Sequence, residues 1–186
     1  MVADVVRGRA KTVWQKEQLG TGHAVMQAEA AFKGFEGVVI VACGDVPLIR
    51  PVTFKSLITA SVGHRIGAAV LSMELENPTG YGRIVRDDNG AFCSIVEEKD
   101  ASDDIKRIRE VNTGTYAFHS GFLFEGLKRI NDNNAQREFY LPDAMQFILS
   151  IGHKVSVIKL ENPDEGRGVN TPEDLRLLNQ FYLAGN

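Results

Sequence analysis

The first residues with chemical potential form a glycine-rich turn ahead of an apolar helix. In Gln18–His23, Gly20 and Gly22 flank Thr21. Glycine lets the backbone approach a ligand closely, and the amides that open a helix suit an anion or the polar edge of a base. The pattern is also typical of a tight turn with a capping threonine, and for this short motif alone the structural explanation is stronger. His23 is likewise better explained as structural than as catalytic.

A second candidate is Asp45, which follows the apolar run at 37–42. If that run is a parallel strand, its carboxyl end is where open α/β sheets bind ligands. A carboxylate there can hold Mg²⁺, which accepts oxygen ligands and bridges substrate phosphates. An aspartate that bonds its own backbone in a turn explains the residue equally well.

Other polar residues lie in predicted turns further along the chain. Flexible glycines at 166 and 168 deliver Asn170, whose side-chain carbonyl could bind a metal, although Asn170 and Thr171 are also typical of a helix cap. Glu97 and Asn112 could bond sugar hydroxyls. Taken alone, both are better explained as surface turn residues.

The elements that would position these residues alternate between strand and helix. Strands are predicted at 37–42, 66–75, 77–85, 91–100, 110–118 and 154–160, and helices at 23–32, 51–62, 141–151 and from 172 onward. The 37–42 strand is expected to be buried on both faces. The DDNG turn at 87–90 indicates a hairpin. These features predict one α/β domain over 1–186, with a mainly parallel sheet and an antiparallel insertion.

Composition narrows the classes of partner. The 186 residues carry 21 basic and 24 acidic side chains, a net charge of -3 with no long run of either sign, so nucleic acid and anionic membranes are not expected partners. The opening residues lack the apolar core of a signal peptide, and no apolar run approaches the ~20 residues that span a bilayer, so we expect a cytoplasmic protein. Cys43 and Cys93 fit no metal spacing and are expected to be buried and inert.

Seven ordered segments resemble one family of enzymes. They are QKEQLGTGHAV, CGDVPLI, NPTGYGRI, IVEEKDA, EVNTG, NNAQREFYLPD and GVN. Together they resemble the uridyltransferase domain of the bacterial bifunctional N-acetylglucosamine-1-phosphate uridyltransferase/glucosamine-1-phosphate acetyltransferases. The resemblance spans nearly the whole chain, and the joint order is far more specific than any single segment. It implies a Rossmann-like nucleotidyltransferase fold with an antiparallel sugar-binding insertion.

The resemblance also implies a role for individual residues. Three are expected to recognise uridine: Gln15, Gly20 and Thr21. Three are expected to contact the amino sugar: Gly82, Glu97 and Asn112. Gly44 and Asp45 would lie near the ribose and phosphates, with Asp45 and Asn170 ligating Mg²⁺ and acting in catalysis through that metal. At Cys43 the chain departs from the family, which often has an aromatic residue there.

The implied reaction transfers UMP from UTP to N-acetylglucosamine-1-phosphate, giving UDP-N-acetylglucosamine, a precursor for peptidoglycan, and pyrophosphate. The family's first strand and Gly-rich phosphate loop have no counterpart in this sequence, nor has its acetyltransferase β-helix. We therefore expect impaired turnover and self-association through an exposed sheet edge. A non-catalytic module that binds nucleotide sugars, or an enzyme for another base or sugar, remains an alternative.

Overall fold

The computed structural model describes residues 2–184. Its α-helices are α1 (Val2–Val5), α2 (Thr21–Met26), α3 (Pro51–Ser61), α4 (Asp103–Lys106), α5 (Ser120–Leu127), α6 (Ala144–Ser150) and α7 (Pro172–Ala184). Its strands are β1 (Val38–Val41), β2 (Ile66–Glu74), β3 (Arg83–Arg86), β4 (Phe92–Val96), β5 (Glu110–His119) and β6 (Lys154–Lys159). Short 3-10 helices cover Glu29–Phe32, Leu141–Asp143 and Pro163–Gly166.

All six strands form one sheet built around β5. The order is β4-β3-β5-β2-β6, and β1 also pairs with β5. β2 pairs with β6 in parallel, whereas β5 is antiparallel to β1, β2 and β3, and β4 is antiparallel to β3. Four strands, β1, β2, β3 and β6, therefore run in one direction, and β4 and β5 run in the other.

One edge of β5 is shared by two strands with a gap between them. β3 pairs with this edge at Val111, and β1 pairs with it from Tyr116 to His119. The carboxyl end of β1 and the amino end of β3 therefore face each other across residues 112–115. On its other edge β5 continues to pair with β2, with one irregularity in register. The gap is thus a break in pairing along a strand that the sheet otherwise holds.

Two apolar clusters cover the two faces of the sheet. Alternate residues of β2 divide between them, because side chains along a strand point to opposite faces. Val70 packs with residues of α5 and α6, such as Leu123 and Ile148. Leu71 packs on the opposite face with Leu57 of α3. All five side chains are essentially buried.

Most predicted elements are confirmed, and the differences have physical causes. The α/β class is confirmed, but only the β2–β6 pairing is parallel, because β5 inserts between β1 and β2 in the opposite direction. The helix predicted at 23–32 is divided into α2 and a 3-10 turn. The expectation that the 37–42 strand is buried on both faces is wrong. Only Val39 is buried, and Ile40 is 36% exposed, because the face of β1 that carries Ile40 is only partly covered.

Within residues 2–184, none of the helices is both long and apolar enough to cross a membrane. The longest of them, α7, has 13 residues. Its first turn is capped as the sequence predicts, because the Thr171 hydroxyl accepts a hydrogen bond from the Asp174 amide at 3.1 Å. The Asp174 carboxylate in return accepts one from the Thr171 amide at 2.8 Å.

Candidate functional site

The gap on β5 is lined by the loop that follows β1 and by a tight irregularity in β5 itself. Gly114 has φ of +74°, a conformation that glycine adopts without strain. A Cβ at Gly114 would lie 2.9 Å from Cys43 Sγ, so the loop after β1 crosses the gap at contact distance. Gly44 follows in an exposed position where an added Cβ would meet no atom within 4 Å. The gap therefore leaves open space beside Gly44.

Three residues predicted to contact the sugar are brought together at one end of the gap. Gly82, just before β3, accepts a hydrogen bond through its carbonyl from the Asn112 amide at 2.8 Å. A Cβ at Gly82 would lie 3.0 and 3.1 Å from the two carboxylate oxygens of Glu97. Gly82 therefore lies between Glu97 and Asn112, and a larger residue at this position would occupy the space beside the Glu97 carboxylate.

The side chain of Asn112 is held in a fixed orientation. Its Nδ2 donates to the hydroxyl of Tyr116 at 2.6 Å, and its Oδ1 accepts from the Gly114 amide at 3.0 Å. Burial, which the hydrogen bond from Asn112 opposes, raises the pKa of Tyr116 far above its usual value, so Tyr116 stays a neutral partner. One proton on Nδ2 and one lone pair on Oδ1 are left for a ligand.

Glu97 stands in an acidic environment. Its carboxylate makes no hydrogen bond within residues 2–184, and its pKa is raised, first by burial and then by nearby negative charge, with the Arg83 guanidinium opposing the shift. The negative neighbours are Asp143, Asp100 and Glu138. The pKa of Asp143 is raised in turn, by burial and by Asp100. An unpaired carboxylate in such a place is a strong acceptor for neutral hydroxyl groups and repels anions.

Glu97→Gln is expected to stabilise the protein more at pH 8 than at pH 4. Because the folded-state pKa of Glu97 lies above the unfolded one, its favourable contribution is full below the unfolded pKa and is lost as pH rises through the folded pKa. Glutamine does not ionise, so the variant does not lose stability in this way. Urea unfolding at both pH values measures the difference between variant and wild type.

The matched control for this prediction is Glu125→Gln. The Lys128 ammonium lowers the pKa of the exposed Glu125, so its favourable contribution is present at high pH and lost in acid. The control should therefore shift in the opposite direction. A Glu97→Gln effect that does not change with pH would contradict the environment described for Glu97.

Asp45 and Asn170 meet at the other end of the gap. The Val169 amide donates to the Asp45 carbonyl at 2.8 Å, which joins the two loops directly. A Cβ at Gly168 would lie 3.7 Å from Asn170 Nδ2 and 3.9 Å from Asp45 Oδ2. Both side chains therefore lie within van der Waals distance of one point beside Gly168.

The donor set of this pair fits a hard divalent cation. Neither side chain makes a hydrogen bond within the described residues, so an oxygen of Asp45 and one of Asn170 remain free. No group of three His, Cys, Asp or Glu side chains within residues 2–184 could hold a metal. One carboxylate and one amide oxygen resemble the sparse protein ligation that suits Mg²⁺, which keeps most of its other positions for water and phosphate.

The glycine-rich turn predicted to recognise uridine is docked on residues 138–141. Phe139 donates to the Leu19 carbonyl and accepts from the Gly22 amide, each at 2.8 Å. Gly20 has φ of +105°, and a Cβ there would lie 2.8 Å from the Phe139 carbonyl oxygen. The Thr21 hydroxyl accepts from the Leu141 amide at 3.1 Å and keeps its own proton to donate. The turn therefore has a structural anchor and still offers polar groups.

Gln15 lies against this turn with one side of its amide engaged. Its Nε2 donates to the Gly20 carbonyl at 3.1 Å and lies 3.1 Å from Nδ1 of His23. Its Oε1 makes no hydrogen bond within the described residues and is left as an acceptor. His23 also contacts Gln27, so this histidine orients glutamine side chains, in agreement with the structural role predicted for it.

Residues 134–143 connect the glycine-rich turn to the group around Glu97, and no role was predicted for any of them. Asp100 accepts hydrogen bonds from the Ala135 amide at 2.8 Å and from the Tyr140 hydroxyl at 3.1 Å. Burial, followed by the charge of Asp100, raises the pKa of Tyr140 to about 12. A Cβ at Gly20 would lie 2.9 Å from the Cβ of Glu138, and the charge of Glu138 contributes to the raised pKa of Glu97. In the sequence, this segment is marked by a run of polar residues that ends in Phe139 and Tyr140.

The prediction that both cysteines are buried is wrong. Cys43 is exposed and Cys93 is half-buried, and both are free thiols. The side chain of Cys43 reaches the Gly114 carbonyl at 3.6 Å, because the loop after β1 lies over the gap and not within the core. Partial burial and the charge of Asp45 raise the pKa of the Cys43 thiol, so the thiolate is disfavoured.

Known proteins resemble this chain over most of its length. A family model described as "Nucleotidyl transferase" matches residues 7–163. The chain is 48% identical over 172 residues to the bifunctional protein GlmU of Halalkalibacterium halodurans, covering 90% of this chain and 38% of that protein. It is 47% identical over 170 residues to GlmU of Streptococcus gordonii (91% and 37%), and 46% identical over 191 residues to GlmU of Streptococcus thermophilus (98% and 42%).

The chain thus spans about two fifths of the length of these curated relatives. The family match, by contrast, covers far more than half of the chain itself and includes β1 to β6. The glycine-rich turn, the Asp45 carboxylate and the β3–β4 hairpin all lie within the matched residues. The chain belongs to the nucleotidyl transferase family of enzymes.

Proposed function

We propose that the gap on β5 is the site of sugar-1-phosphate uridylyl transfer, in which UTP and N-acetylglucosamine-1-phosphate give UDP-N-acetylglucosamine and pyrophosphate. The observation that carries the proposal is the arrangement of two unlike groups along one strand. Gly82, Glu97 and Asn112 offer hydroxyl-binding atoms at one end, and Asp45 and Asn170 offer hard oxygen donors at the other. A sugar phosphate likewise has hydroxyl groups at one end and, at the other, an anionic phosphate that a metal ion can bind.

The sugar end favours a neutral, hydroxyl-rich ring. The unpaired Glu97 carboxylate would accept from sugar hydroxyls, and the remaining proton on Asn112 Nδ2 would donate to a ring substituent. The negative charges of Asp100 and Asp143 near Glu97 would repel an acidic sugar. N-acetylglucosamine carries no charge on its ring, which agrees with this selection.

The uridine would lie against the glycine-rich turn. The free Oε1 of Gln15 can accept a hydrogen bond from the N3–H of uracil, a donor that the corresponding N3 of cytosine lacks. The hydroxyl proton of Thr21 and the close-lying backbone of Gly20 supply a donor and a surface that a base can approach. These groups support a preference for uridine over cytidine nucleotides.

Mg²⁺ held by Asp45 and Asn170 would neutralise charge on the substrate phosphates. An oxygen of the sugar phosphate would attack the α-phosphorus of UTP in line with the departing pyrophosphate. This chemistry depends on positioning and charge stabilisation, and it needs no protein nucleophile. The raised pKa of the Cys43 thiol agrees with that, since a nucleophilic cysteine is expected to show the opposite shift.

Binding and turnover test the proposal separately. Calorimetric titration with UDP-N-acetylglucosamine should give saturable binding, and UTP should bind about 10-fold or more tightly than CTP, the discrimination expected of one hydrogen bond. Pyrophosphate release from UTP and N-acetylglucosamine-1-phosphate measures turnover. Equal affinity for UTP and CTP would contradict the uridine assignment. Saturable binding with no detectable release would favour the non-catalytic binding module.

Gly82→Ala is expected to weaken N-acetylglucosamine-1-phosphate binding by about 10-fold while the protein still folds. The added methyl group would lie 2.9 Å from Ile95 Cγ2 and 3.0 Å from the Glu97 carboxylate, and it would displace that carboxylate from the sugar hydroxyls. Calorimetry with the sugar phosphate, at a fixed UTP concentration, measures the effect. Gly121→Ala is the matched control, because a methyl group there meets its nearest atom at 3.7 Å, an ordinary contact. Unchanged sugar-phosphate affinity in Gly82→Ala would remove Gly82 from the sugar site.

A further inference from the structure

Glu165 is a buried carboxylate that none of the proposed steps uses. It is 4% exposed and lies in the 3-10 turn Pro163–Gly166. Its oxygens accept from the Arg50 amide at 3.1 Å, from Arg50 Nε at 2.7 Å and from the Thr53 hydroxyl. A buried carboxylate is retained only where such bonds compensate its lost hydration. Here they all come from the start of α3.

Together with one backbone bond, these bonds close a ring that contains Asp45 and ends one residue before Asn170. We call residues 45–53 the Asp45 segment and residues 163–170 the Asn170 segment. Four hydrogen bonds between described residues join the two segments, and three of them end on Glu165. The fourth runs from the Val169 amide to the Asp45 carbonyl. Asp45 and Asn170 therefore lie near one end of the ring, and Glu165 fastens the other.

Packing does little to hold the segments together near Glu165. Cavities of about 520 and 230 Å³ flank this position, and Arg50 and Glu165 line both of them. Tight packing begins only at the next residue, Gly166, where a Cβ would lie 2.9 Å from Thr113 Cγ2 on β5. Beside these cavities, the hydrogen bonds of Glu165 restrain the separation of the segments, together with the bond from the Val169 amide to the Asp45 carbonyl.

We propose that Glu165 is a positioning residue that fixes the separation of Asp45 and Asn170, and thereby the affinity of the site for a divalent cation. The inference rests on the proposed role of Asp45 and Asn170 as metal ligands. Residues that orient metal ligands without touching the metal commonly change its affinity by about 10- to 100-fold. Glu165 would act through the backbone of the ring. It lies five residues before Asn170, and its partner Arg50 lies five residues after Asp45.

The test compares Mn²⁺ affinity in the full chain, with UDP-N-acetylglucosamine present, by the electron paramagnetic resonance signal of free Mn²⁺. Glu165→Ala should weaken Mn²⁺ binding by about 10-fold or more, and Glu165→Gln, which keeps the acceptor oxygen, by a smaller factor. In EDTA, the affinity of the Glu165 variants for UDP-N-acetylglucosamine should stay within about 2-fold of wild type, because the uridine and sugar groups lie outside the ring.

Glu110→Gln is the matched control, because Glu110 forms a comparable partly buried ion pair with Arg86 at 2.8 Å outside both segments. It should lose stability without losing Mn²⁺ affinity. Glu165 variants that match this control in Mn²⁺ affinity would overturn the positioning role, as would an equal loss of metal-free binding. If Glu165→Ala does not fold, the Glu165→Gln result decides alone.

A further variant separates this inference from the proposed function. Asp45→Asn should lose Mn²⁺ binding whether or not Glu165 positions it. If Asp45→Asn binds Mn²⁺ as wild type does, the metal assignment itself fails and the positioning role falls with it. If Asp45→Asn loses Mn²⁺ and the Glu165 variants do not, only the positioning role is overturned.

Discussion

Asp45→Asn is expected to reduce formation of UDP-N-acetylglucosamine by about 100-fold or more. Asparagine keeps the size of the side chain and removes the charge that holds a divalent cation. The fold should be unaffected, because the Asp45 side chain is exposed and only its carbonyl bonds to Val169. Pyrophosphate release at several Mg²⁺ concentrations measures the loss.

The control for Asp45→Asn is Asp88→Asn, in the exposed turn between β3 and β4. It removes one negative charge from the same domain without touching the gap, so its rate should equal that of wild type. Raising the Mg²⁺ concentration should recover part of the Asp45→Asn rate, since the defect lies in cation affinity. A rate within about 3-fold of wild type would show that the carboxylate after β1 is only a turn residue.

Gly20→Ala is expected to destabilise the protein by about 2–4 kcal/mol and to abolish measurable uridine-nucleotide binding. Two costs add. The backbone at φ +105° is unfavourable for alanine, and the methyl group would lie 2.8–2.9 Å from the carbonyl and amide of Phe139. Because these are backbone atoms, they cannot move aside as a flexible side chain would. Urea unfolding gives the loss in free energy of unfolding, and calorimetry with UDP-N-acetylglucosamine gives the loss in binding.

Gly34→Ala separates these two costs. Gly34 also has a positive φ, +79°, but a Cβ there would meet no atom within 4 Å. This control should lose only about 1 kcal/mol, the cost of backbone strain, and should bind nucleotide as wild type does. If Gly20→Ala were no less stable than Gly34→Ala, the turn could not be docked on Phe139 as described.

Local sequence signals predict elements better than they predict the partners of those elements. The DDNG hairpin and Pro51 at the start of α3 were correct because turn and helix signals reside in adjacent residues. Residues 110–114 were correctly placed in the antiparallel section, but the antiparallel pairing of β5 with β1 and β2 was not predicted, because nothing within Glu110–His119 records which strands lie beside it. The exposure of Ile40 and Cys43 was missed for the same reason, since burial depends on what covers β1.

The candidate site divides in a similar way. The resemblance selected Gly82, Glu97 and Asn112, and the structure brings these three residues into contact. Their roles in binding remain predictions. Glu165 escaped notice because its partners lie 112 and 115 positions away in the chain, so no local pattern marks it. Long-range ion pairs and docked loops such as Asn134–Asp143 require the folded chain to be recognised.

The interrupted edge of β5 also bears on how substrate preference could diversify. The β3–β4 hairpin pairs with β5 through the single register pair Arg83–Val111, whereas the loops bearing Asp45 and Asn170 are anchored separately, to β1 and α3. The loops proposed to bind the metal and the hairpin proposed to bind the sugar are therefore held by different contacts, with β5 between them. Under the proposed function, replacing the hairpin by that of a relative with a different sugar is expected to change sugar specificity, and insertions at 87–90 would be absorbed at the far end of the hairpin.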